Sequence, residues 1–423
     1  MNNVSFQKLC SLMNLRNASL FFFLLSVIGF MSQGLSNYFF GNLFAPLQVI
    51  FVFISLMFFL FSNRYLKTGY IPVILSTIVL FHIVFINLDR LDNVLIRFFQ
   101  IVTGMIIYFL ALHISLNNLW LKRLFKVLFL MVCINAIFGI KEIADLSPFP
   151  WSCFYGANIN GEAVALDWLP VSLGYSLASP VTIAVIFSIY RNSISSYPGK
   201  YLSLITAILG MVLIIFSHSR STLFAVIAGV LVAIILNIKK TNALITGLIV
   251  SFLCMIILSI PLIQSYRKID FVKDPRLIDN FKTYLPIIMA NPFAANSEGE
   301  SAILLKAQKL YGISIDEQTK MNALSLSSAH NSILTTGISL GLIPMLILIS
   351  LYVYLVIISL KTIFRKEEDS EVRFMSCLML SAFTSYIVHS HFHNAGLFLG
   401  EMRNWIYIGI LVRFALDKKI KSQ

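Results

Sequence analysis

Three residues have side chains whose chemistry suits a functional site: Arg220, Arg276 and His330. Arg220 opens an apolar run in HSRSTLFAV, whereas Arg276 lies in the polar stretch KDPRLIDNF. A guanidinium is permanently charged, and its planar fork matches two phosphate oxygens at once. Both arginines are therefore candidates for capturing an anion, although a long cationic side chain at an apolar boundary also extends to lipid headgroups.

His330 begins the segment HNSILTTGISLGLIPM, where polar residues give way to an apolar run. An imidazole accepts a proton near neutral pH, which suits a general base that activates a hydroxyl nucleophile. Alternatively, histidine is amphipathic and stands at such boundaries without any catalytic role. Gly337 and Gly341 follow four residues apart, a spacing typical of close helix packing.

Two further clusters contain residues capable of chemistry. One cluster is a trio of histidines that suggests a metal site: His389, His391 and His393. Residues two apart point in different directions on a helix, and no Asp, Glu or Cys accompanies the trio at ligand spacing. Glu401 and Arg403 are a charged pair for which a local ion pair and an active-site role are both open. Since the five cysteines are widely separated, neither a disulfide framework nor a zinc site is expected.

The elements that must position these residues are membrane helices. Of the 423 residues, 58% are hydrophobic and 12% are charged, about half the charged fraction of a soluble globular chain. The apolar residues fall into runs of about 20, the length that crosses a bilayer as a helix. An ordinary soluble protein is thereby excluded, and the sequence predicts an all-α polytopic membrane protein. The net charge of +13 fits membrane topology better than nucleic-acid binding.

About twelve transmembrane helices are predicted. The apolar runs lie at residues 18–35, 46–62, 70–88, 96–116, 124–140, 169–190, 201–217, 221–238, 242–263, 338–360, 373–392 and 404–416. Lys and Arg gather beside alternate connections, which predicts that the N- and C-termini are both cytoplasmic. The first run is expected to remain as a helix, because no small-residue cleavage site follows it.

The connections on the opposite face are short except for residues 141–168 and 264–337. The longer one contains LIDNFKTYLPIIMA, whose apolar positions recur at helical spacing. We therefore expect a large helical loop between the ninth and tenth spans. It divides the chain into residues 1–263 with nine spans, the loop 264–337, and residues 338–423 with three spans and a cytoplasmic tail.

Three short motifs, in this order, resemble the superfamily of O-antigen ligases and O-antigen polymerases. They are SRS around Arg220, Arg276-Leu277 followed by Asn291-Pro292, and His330-Asn331 followed by nine residues and Gly341. The third motif resembles the ligase pattern closely. After Pro292 the chain reads FAANSEGES, where many members of the superfamily have Gly-x-Gly. The resemblance covers most of the chain in its layout of spans, and the residue similarity is confined to the three motifs.

The resemblance implies a GT-C-like glycosyltransferase of the bacterial inner membrane, with its large loop and its site on the periplasmic side. It implies an O-antigen ligase, which transfers O-antigen polysaccharide from undecaprenyl diphosphate to lipid A-core oligosaccharide. An O-antigen polymerase is the alternative, and a transporter or flippase of lipid-linked saccharides is a more remote one. The roles implied are diphosphate binding by Arg220 and Arg276, general-base catalysis by His330, and support from Asn331, Glu401 and Arg403. No metal or cofactor is expected, because the arginines replace the cation.

Overall fold

The computed structural model describes residues 15–31, 44–61, 69–86, 91–146, 173–190, 200–216, 219–236, 281, 284–289, 292–293, 329, 331–365 and 368–416. Within this part of the chain the great majority of residues are helical and no strand occurs. The prediction of an all-α protein is therefore confirmed for the described residues.

Twelve helices make up most of the described part. They are α1 (Leu15–Met31), α2 (Phe44–Leu60), α3 (Ile71–Ile86), α4 (Leu91–Ile114), α5 (Asn118–Leu146), α6 (Leu173–Ile189), α7 (Lys200–Phe216), α8 (Arg220–Leu236), α9 (Ser332–Leu340), α10 (Leu342–Ile363), α11 (Ser370–Ser390) and α12 (Asn404–Leu416). Eleven of the predicted spans overlap one of these helices. The predicted span at 242–263 and most of the predicted loop 264–337 lie outside the described residues.

Four helical segments are long and apolar enough to cross a membrane. They are Leu95–Ile114 in α4, Asn118–Glu142 in α5, α10 and α11. Their neighbours are shorter apolar helices with large hydrophobic side chains on the outside, such as Phe85 in α3, which is 70% exposed. Such a surface is costly in water and compatible with lipid, where the surroundings are as apolar as the side chains.

Helix α11 is the centre of the described bundle, since α6, α8, α10 and α12 all pack against it. Small residues allow this close approach. A Cβ atom added at Gly229 of α8 would lie 2.6 Å from the carbonyl oxygen of Ser381 and 3.1 Å from Cβ of Ser385, both in α11. Hydroxyls join the same helices, because Thr182 of α6 donates to Ser385 Oγ at 3.1 Å. Small and hydroxyl-bearing residues are the usual means of close packing between membrane helices.

Contacts between helix ends define two ends of the bundle. Ser221 at the start of α8 contacts His393, just after α11 ends. We call the end at which α8, α9 and α12 begin and α11 ends the site end. At the opposite end, Thr362 near the end of α10 donates to the carbonyl oxygen of Ala415 near the end of α12 at 2.8 Å. Helices α10 and α12 thus run from the site end to the opposite end, and α11 between them runs back to the site end.

Gly341 divides the region that the sequence predicts as one span at 338–360. The short helix α9 begins earlier, at Ser332, and ends at Leu340, and α10 starts at Leu342. Gly341 has φ of +100°, a backbone conformation that favours glycine. The prediction of a helix-packing role therefore has to be corrected for Gly341, which breaks the helix. Gly337 does lie in a close contact, because an added Cβ atom would be 2.6 Å from Cδ1 of Ile288.

Candidate functional site

The segment between α11 and α12, residues 391–403, lies at the site end and is called the 391–403 loop. Two of its side chains hold neighbouring helices. His393 Nε2 and Ser221 Oγ are 3.0 Å apart, and Thr335 Oγ1 donates to Asn394 Oδ1 at 3.2 Å. Because Ser221 belongs to the first turn of α8 and Thr335 to α9, the loop joins the beginnings of these two helices.

The six residues expected to form the site are placed as follows. Arg220 is the first residue of α8, and its side chain lies outside the described part, as do Arg276 and His330 entirely. Asn331, Glu401 and Arg403 are described. The structure therefore brings the start of α8 and the start of α9 against the 391–403 loop. The Glu401–Arg403 pair belongs to that loop.

Asn331 forms the N-terminal cap of α9. Its Oδ1 accepts hydrogen bonds from the backbone amides of Ile333 at 3.0 Å and Leu334 at 3.2 Å. These amides have no partner inside the helix, so a capping side chain satisfies them. Since Asn331 directly follows His330, the cap fixes the backbone beside the predicted base. The supporting role expected from the sequence stays a prediction, and the cap is the contact through which Asn331 would exert it.

The second and third motifs of the sequence meet at Gly341. The backbone amide of Leu342 donates to the carbonyl oxygen of Pro292 at 2.9 Å, and a Cβ atom added at Gly341 would lie 2.8 Å from the same oxygen. A side chain at residue 341 would therefore collide with the Pro292 turn. The glycine at the end of the His-Asn motif is explained by this approach together with its positive φ.

Glu401 and Arg403 form an ion pair that is almost entirely buried. Arg403 Nη2 lies 3.0 Å from Glu401 Oε2, and the exposed fractions of the two side chains are 13% and 1%. A second bond from Arg403 Nε to Glu401 Oε1, at 3.1 Å, makes the pair bidentate. The local ion pair expected from the sequence is therefore present, and an active-site role of the two residues stays a prediction.

This ion pair ties the 391–403 loop to α6 and α12. Arg403 Nη1 donates to Ser176 Oγ in α6, and Asn404 Nδ2 donates to Glu401 Oε1 at 3.2 Å. Asn404 Oδ1 in turn accepts a hydrogen bond from Ser179 at 3.2 Å. Because Nε, Nη1 and Nη2 of Arg403 are all engaged in these hydrogen bonds, the guanidinium holds the loop in place and is poorly disposed to bind a further anion.

The three histidines around the end of α11 do not assemble into a metal site. The rings of His389 and His393 lie against each other with centroids 4.2 Å apart, as the four-residue spacing allows. His391 instead hydrogen-bonds through Nδ1 to the carbonyl oxygen of Ile387 at 2.8 Å. Across the described residues, no group of three or more His, Cys, Asp or Glu side chains is arranged to hold a metal ion.

Arg97 and Gln100 of α4 are site-end residues that the sequence reasoning missed. Arg97 Nη1 donates to Gln100 Oε1 at 3.0 Å. The Gln100 amide lies against Gly400 of the 391–403 loop, where an added Cβ atom would be 2.9 Å from Gln100 Nε2. The available signal was a basic residue at the start of an apolar run, the feature that also singles out Arg220. No sequence signal indicated that Ser176 or Asn394 joins the site.

Basic residues in the described helices are unevenly shared between the two ends of the bundle. Those at or beside the opposite end are Arg16, Lys122, Arg123, Lys126, Lys200, Lys361, Arg365, Arg373 and Arg413. Those toward the site end are Arg97, Lys141, Arg220 and Arg403. The site end therefore carries the smaller set, and three of its four members belong to elements that contact the 391–403 loop or form part of it.

Comparison with known protein families, with curated proteins and with solved structures finds no match to the chain.

Proposed function

We propose that the chain is an O-antigen ligase of the bacterial inner membrane. It transfers O-antigen polysaccharide from undecaprenyl diphosphate to lipid A-core oligosaccharide, with inversion at the anomeric carbon. The reaction takes place at the periplasmic face, where both lipid-linked substrates present their saccharides. The proposal joins the resemblance of the three sequence motifs to the arrangement of the elements that carry them.

The observation that carries the proposal is the meeting of the motif segments at one end of the bundle. The first motif opens α8 and the third opens α9, and the 391–403 loop holds both through His393 and Asn394. The Pro292 turn of the second motif contacts Gly341 of the third. Motifs separated by about 110 residues of sequence thus share one small region, as residues of a common site must.

In the proposed reaction, the acceptor hydroxyl oxygen attacks the anomeric carbon while the bond from that carbon to the diphosphate oxygen breaks. The bonding electrons leave with the undecaprenyl diphosphate, and the hydroxyl proton passes to His330. Arg220 and Arg276 stabilise the negative charge that grows on the leaving group, as fixed cationic donors do in a site that excludes water. The amino-terminal ends of α8 and α9 add a favourable potential for an anion.

The proposed orientation places the site end in the periplasm and both termini in the cytoplasm. It assigns twelve spans to the chain, with the large loop 264–337 between the ninth and tenth. Cytoplasmic connections of membrane proteins are enriched in Lys and Arg. The larger number of basic residues at the opposite end of the described helices supports this orientation.

A transporter of lipid-linked saccharides is less well supported. Alternating access calls for substrate-binding polar groups near the bilayer midplane, between related halves of the protein. Glu401 and Arg403 instead belong to a connection at a helix end. Deeper polar groups such as Ser179 and Thr182 bond to α11, which suits helix packing better than substrate binding.

The deciding experiment is the chemical composition of the cell envelope in a strain that lacks the protein. Loss of a ligase leaves the lipid A-core bare while polymer accumulates on undecaprenyl diphosphate. Loss of a polymerase leaves cores that carry one repeat unit, and loss of a transporter leaves lipid-linked saccharide on the cytoplasmic side. Either of the last two outcomes would overturn the proposal.

The same strain tests the diphosphate clamp by complementation. Arg220→Lys and Arg276→Lys keep the charge and remove the planar fork, so transfer should fall strongly in both. Arg365→Lys, at the opposite end, is the control and should support normal transfer. Transfer at the parental rate by well-expressed Arg220→Lys and Arg276→Lys variants would rule out the bidentate clamp. Activity of the purified protein should also persist in EDTA.

A further inference from the structure

Arg97 is a half-buried cation on the outside of the bundle, and no acidic side chain in the described part of the chain pairs with it. It lies near the start of α4, and among the described residues its hydrogen bond is to the neutral side chain of Gln100, at 3.0 Å from Nη1. Its Nε and Nη2 groups are left to donate elsewhere. A partly desolvated guanidinium is costly unless an anion or another acceptor uses these donors.

The surface around Arg97 faces lipid. Leu95, Ile96 and Phe99, which flank it along α4, are 50%, 57% and 55% exposed. Large apolar side chains exposed on a candidate membrane span contact acyl chains, and the nearest anions to such a belt are the phosphate groups of membrane lipids. The guanidinium of Arg97 therefore lies where a phosphate group of a neighbouring membrane lipid can contact it.

Gln100 connects this lipid-facing position to the 391–403 loop. Its amide packs on Gly400, whose φ of +94° and close contact exclude a larger residue. Gly400 directly precedes Glu401 of the buried ion pair. The contact between Gln100 and Gly400 is held in place by the packing of α4 on α12. One turn further along α4, a Cβ atom added at Gly104 would lie 2.5 Å from the indole Nε1 of Trp405. Arg97 is thus attached to the site end through rigid contacts.

We propose that Arg97, positioned by Gln100, binds a phosphate group of a membrane lipid on the outer face of α4. Two lipids share this chemistry: a phospholipid, through its headgroup, and a polyprenyl diphosphate that carries the glycan. Only the second source rests on the function proposed above. In that case Arg97 meets the donor as it arrives from the bilayer, before the diphosphate reaches the start of α8.

The test is lipid binding to the purified full-length protein in a phosphate-free detergent, followed by native mass spectrometry. The probes are undecaprenyl diphosphate and phosphatidylglycerol, and the variants are Arg97→Gln and, as control, Lys141→Gln. Lys141 is an exposed cation in α5 that, like Arg97, lies toward the site end of the bundle. Arg97→Gln should weaken binding of at least one probe by about tenfold or more, as expected for loss of a charge-assisted hydrogen bond. The control should change binding less than about twofold.

The outcomes separate the two lipids. Weakened binding of undecaprenyl diphosphate alone identifies Arg97 as a contact of the donor, whereas weakened binding of phosphatidylglycerol identifies a headgroup site that stands even if the proposed function fails. Unchanged binding of both probes, or equal losses in the Lys141→Gln control, would overturn the proposal.

A measurement on the unaltered protein covers the case in which Arg97→Gln does not fold. Phenylglyoxal modifies accessible arginines, and peptide mapping reports each one separately. Either probe lipid should protect Arg97 from modification, while Arg123 at the opposite end should react as before. Equal modification of Arg97 with and without lipid would contradict the proposal.

Discussion

Two regions of the bundle are held together by different contacts. Helices α1 and α2 meet through aromatic rings, as where Phe22 stacks on Phe58 with centroids 5.6 Å apart, and through one reciprocal pair of hydroxyl-to-carbonyl hydrogen bonds between Ser19 and Ser55. Their outward residues are apolar, and Met57 is 53% exposed. Around α11, by contrast, Gly229 and Ser385 allow helix backbones to approach closely, and the hydroxyl of Ser179 links three helices, since it bonds both to α11 and to Asn404 at the start of α12.

The difference follows from the lipid solvent. Moving an apolar side chain from lipid to another helix releases little free energy, so aromatic contacts such as those of α1 and α2 tolerate substitution by other apolar residues. Close packing and interhelical hydrogen bonds depend on individual atoms, so they do not tolerate substitution. Because the 391–403 loop is anchored on α6, α8 and α9, we expect disturbance near α11 to reach the site and disturbance of α1 and α2 to leave it intact.

The largest expected effect is on catalysis. His330→Ala should lower transfer by about 10² to 10⁴-fold, the usual contribution of a general base, while donor binding persists. Ser55→Ala is the peripheral control, since Ser55 Oγ donates to the carbonyl oxygen of Ser19 at 2.7 Å far from the site. It should leave the rate unchanged. A loss below about tenfold in His330→Ala would point to a structural role for this histidine.

The next effect concerns the buried ion pair of the loop. Glu401→Gln leaves the guanidinium of Arg403 without its counter-charge, which typically lowers the free energy of unfolding by about 3 to 5 kcal/mol. The control is Glu368→Gln at the opposite end, which removes the 3.3 Å pair with Arg365, whose side chain is 32% exposed, and should cost less than about 1 kcal/mol. Thermal unfolding in detergent measures both. Similar losses would show that the two ion pairs are equally important.

How far the sequence predicted the molecule depends on the kind of signal. The helices were predictable because apolar runs must be long enough for the membrane. The break at Gly341 was not, because a glycine four residues after another indicates packing in a continuous helix equally well. The positive φ of Gly341 and the approach of the Pro292 carbonyl, which is distant in sequence, are features of the folded chain and show that this glycine ends a helix.

For the candidate site, the sequence indicated the motifs and not the contacts between the elements that carry them. Composition and spacing singled out Glu401 and Arg403, since charges at helix ends are conspicuous in so apolar a chain. Nothing local indicates that His393 would meet Ser221 across 172 residues, because such contacts depend on how helices pack. Arg97 was within reach of the same charge argument that found Arg220.

Enlarging the glycine beside α11 should have a smaller effect on stability than loss of the ion pair. Gly229→Val places new atoms against the Ser381 carbonyl, a backbone group that cannot turn away, so unfolding should become easier by about 1 to 3 kcal/mol. The control is Phe21→Leu in α1, a side chain that is 53% exposed, with an expected change within about 0.5 kcal/mol. Thermal unfolding of both variants tests whether the two regions differ as their contacts indicate.

The smallest expected effect on stability separates folding from function. Asn331 and Asn117 are matched caps, since Asn117 Oδ1 also accepts from two amides, those of Leu119 at 3.0 Å and Trp120 at 3.4 Å, at the start of α5. Either change to Ala should cost about 1 kcal/mol of unfolding free energy. Only Asn331→Ala should also reduce transfer, because its cap fixes the backbone that follows His330, whereas Asn117 lies at the opposite end. Equal rates in the two variants would show that the start of α9 does not position the catalytic group.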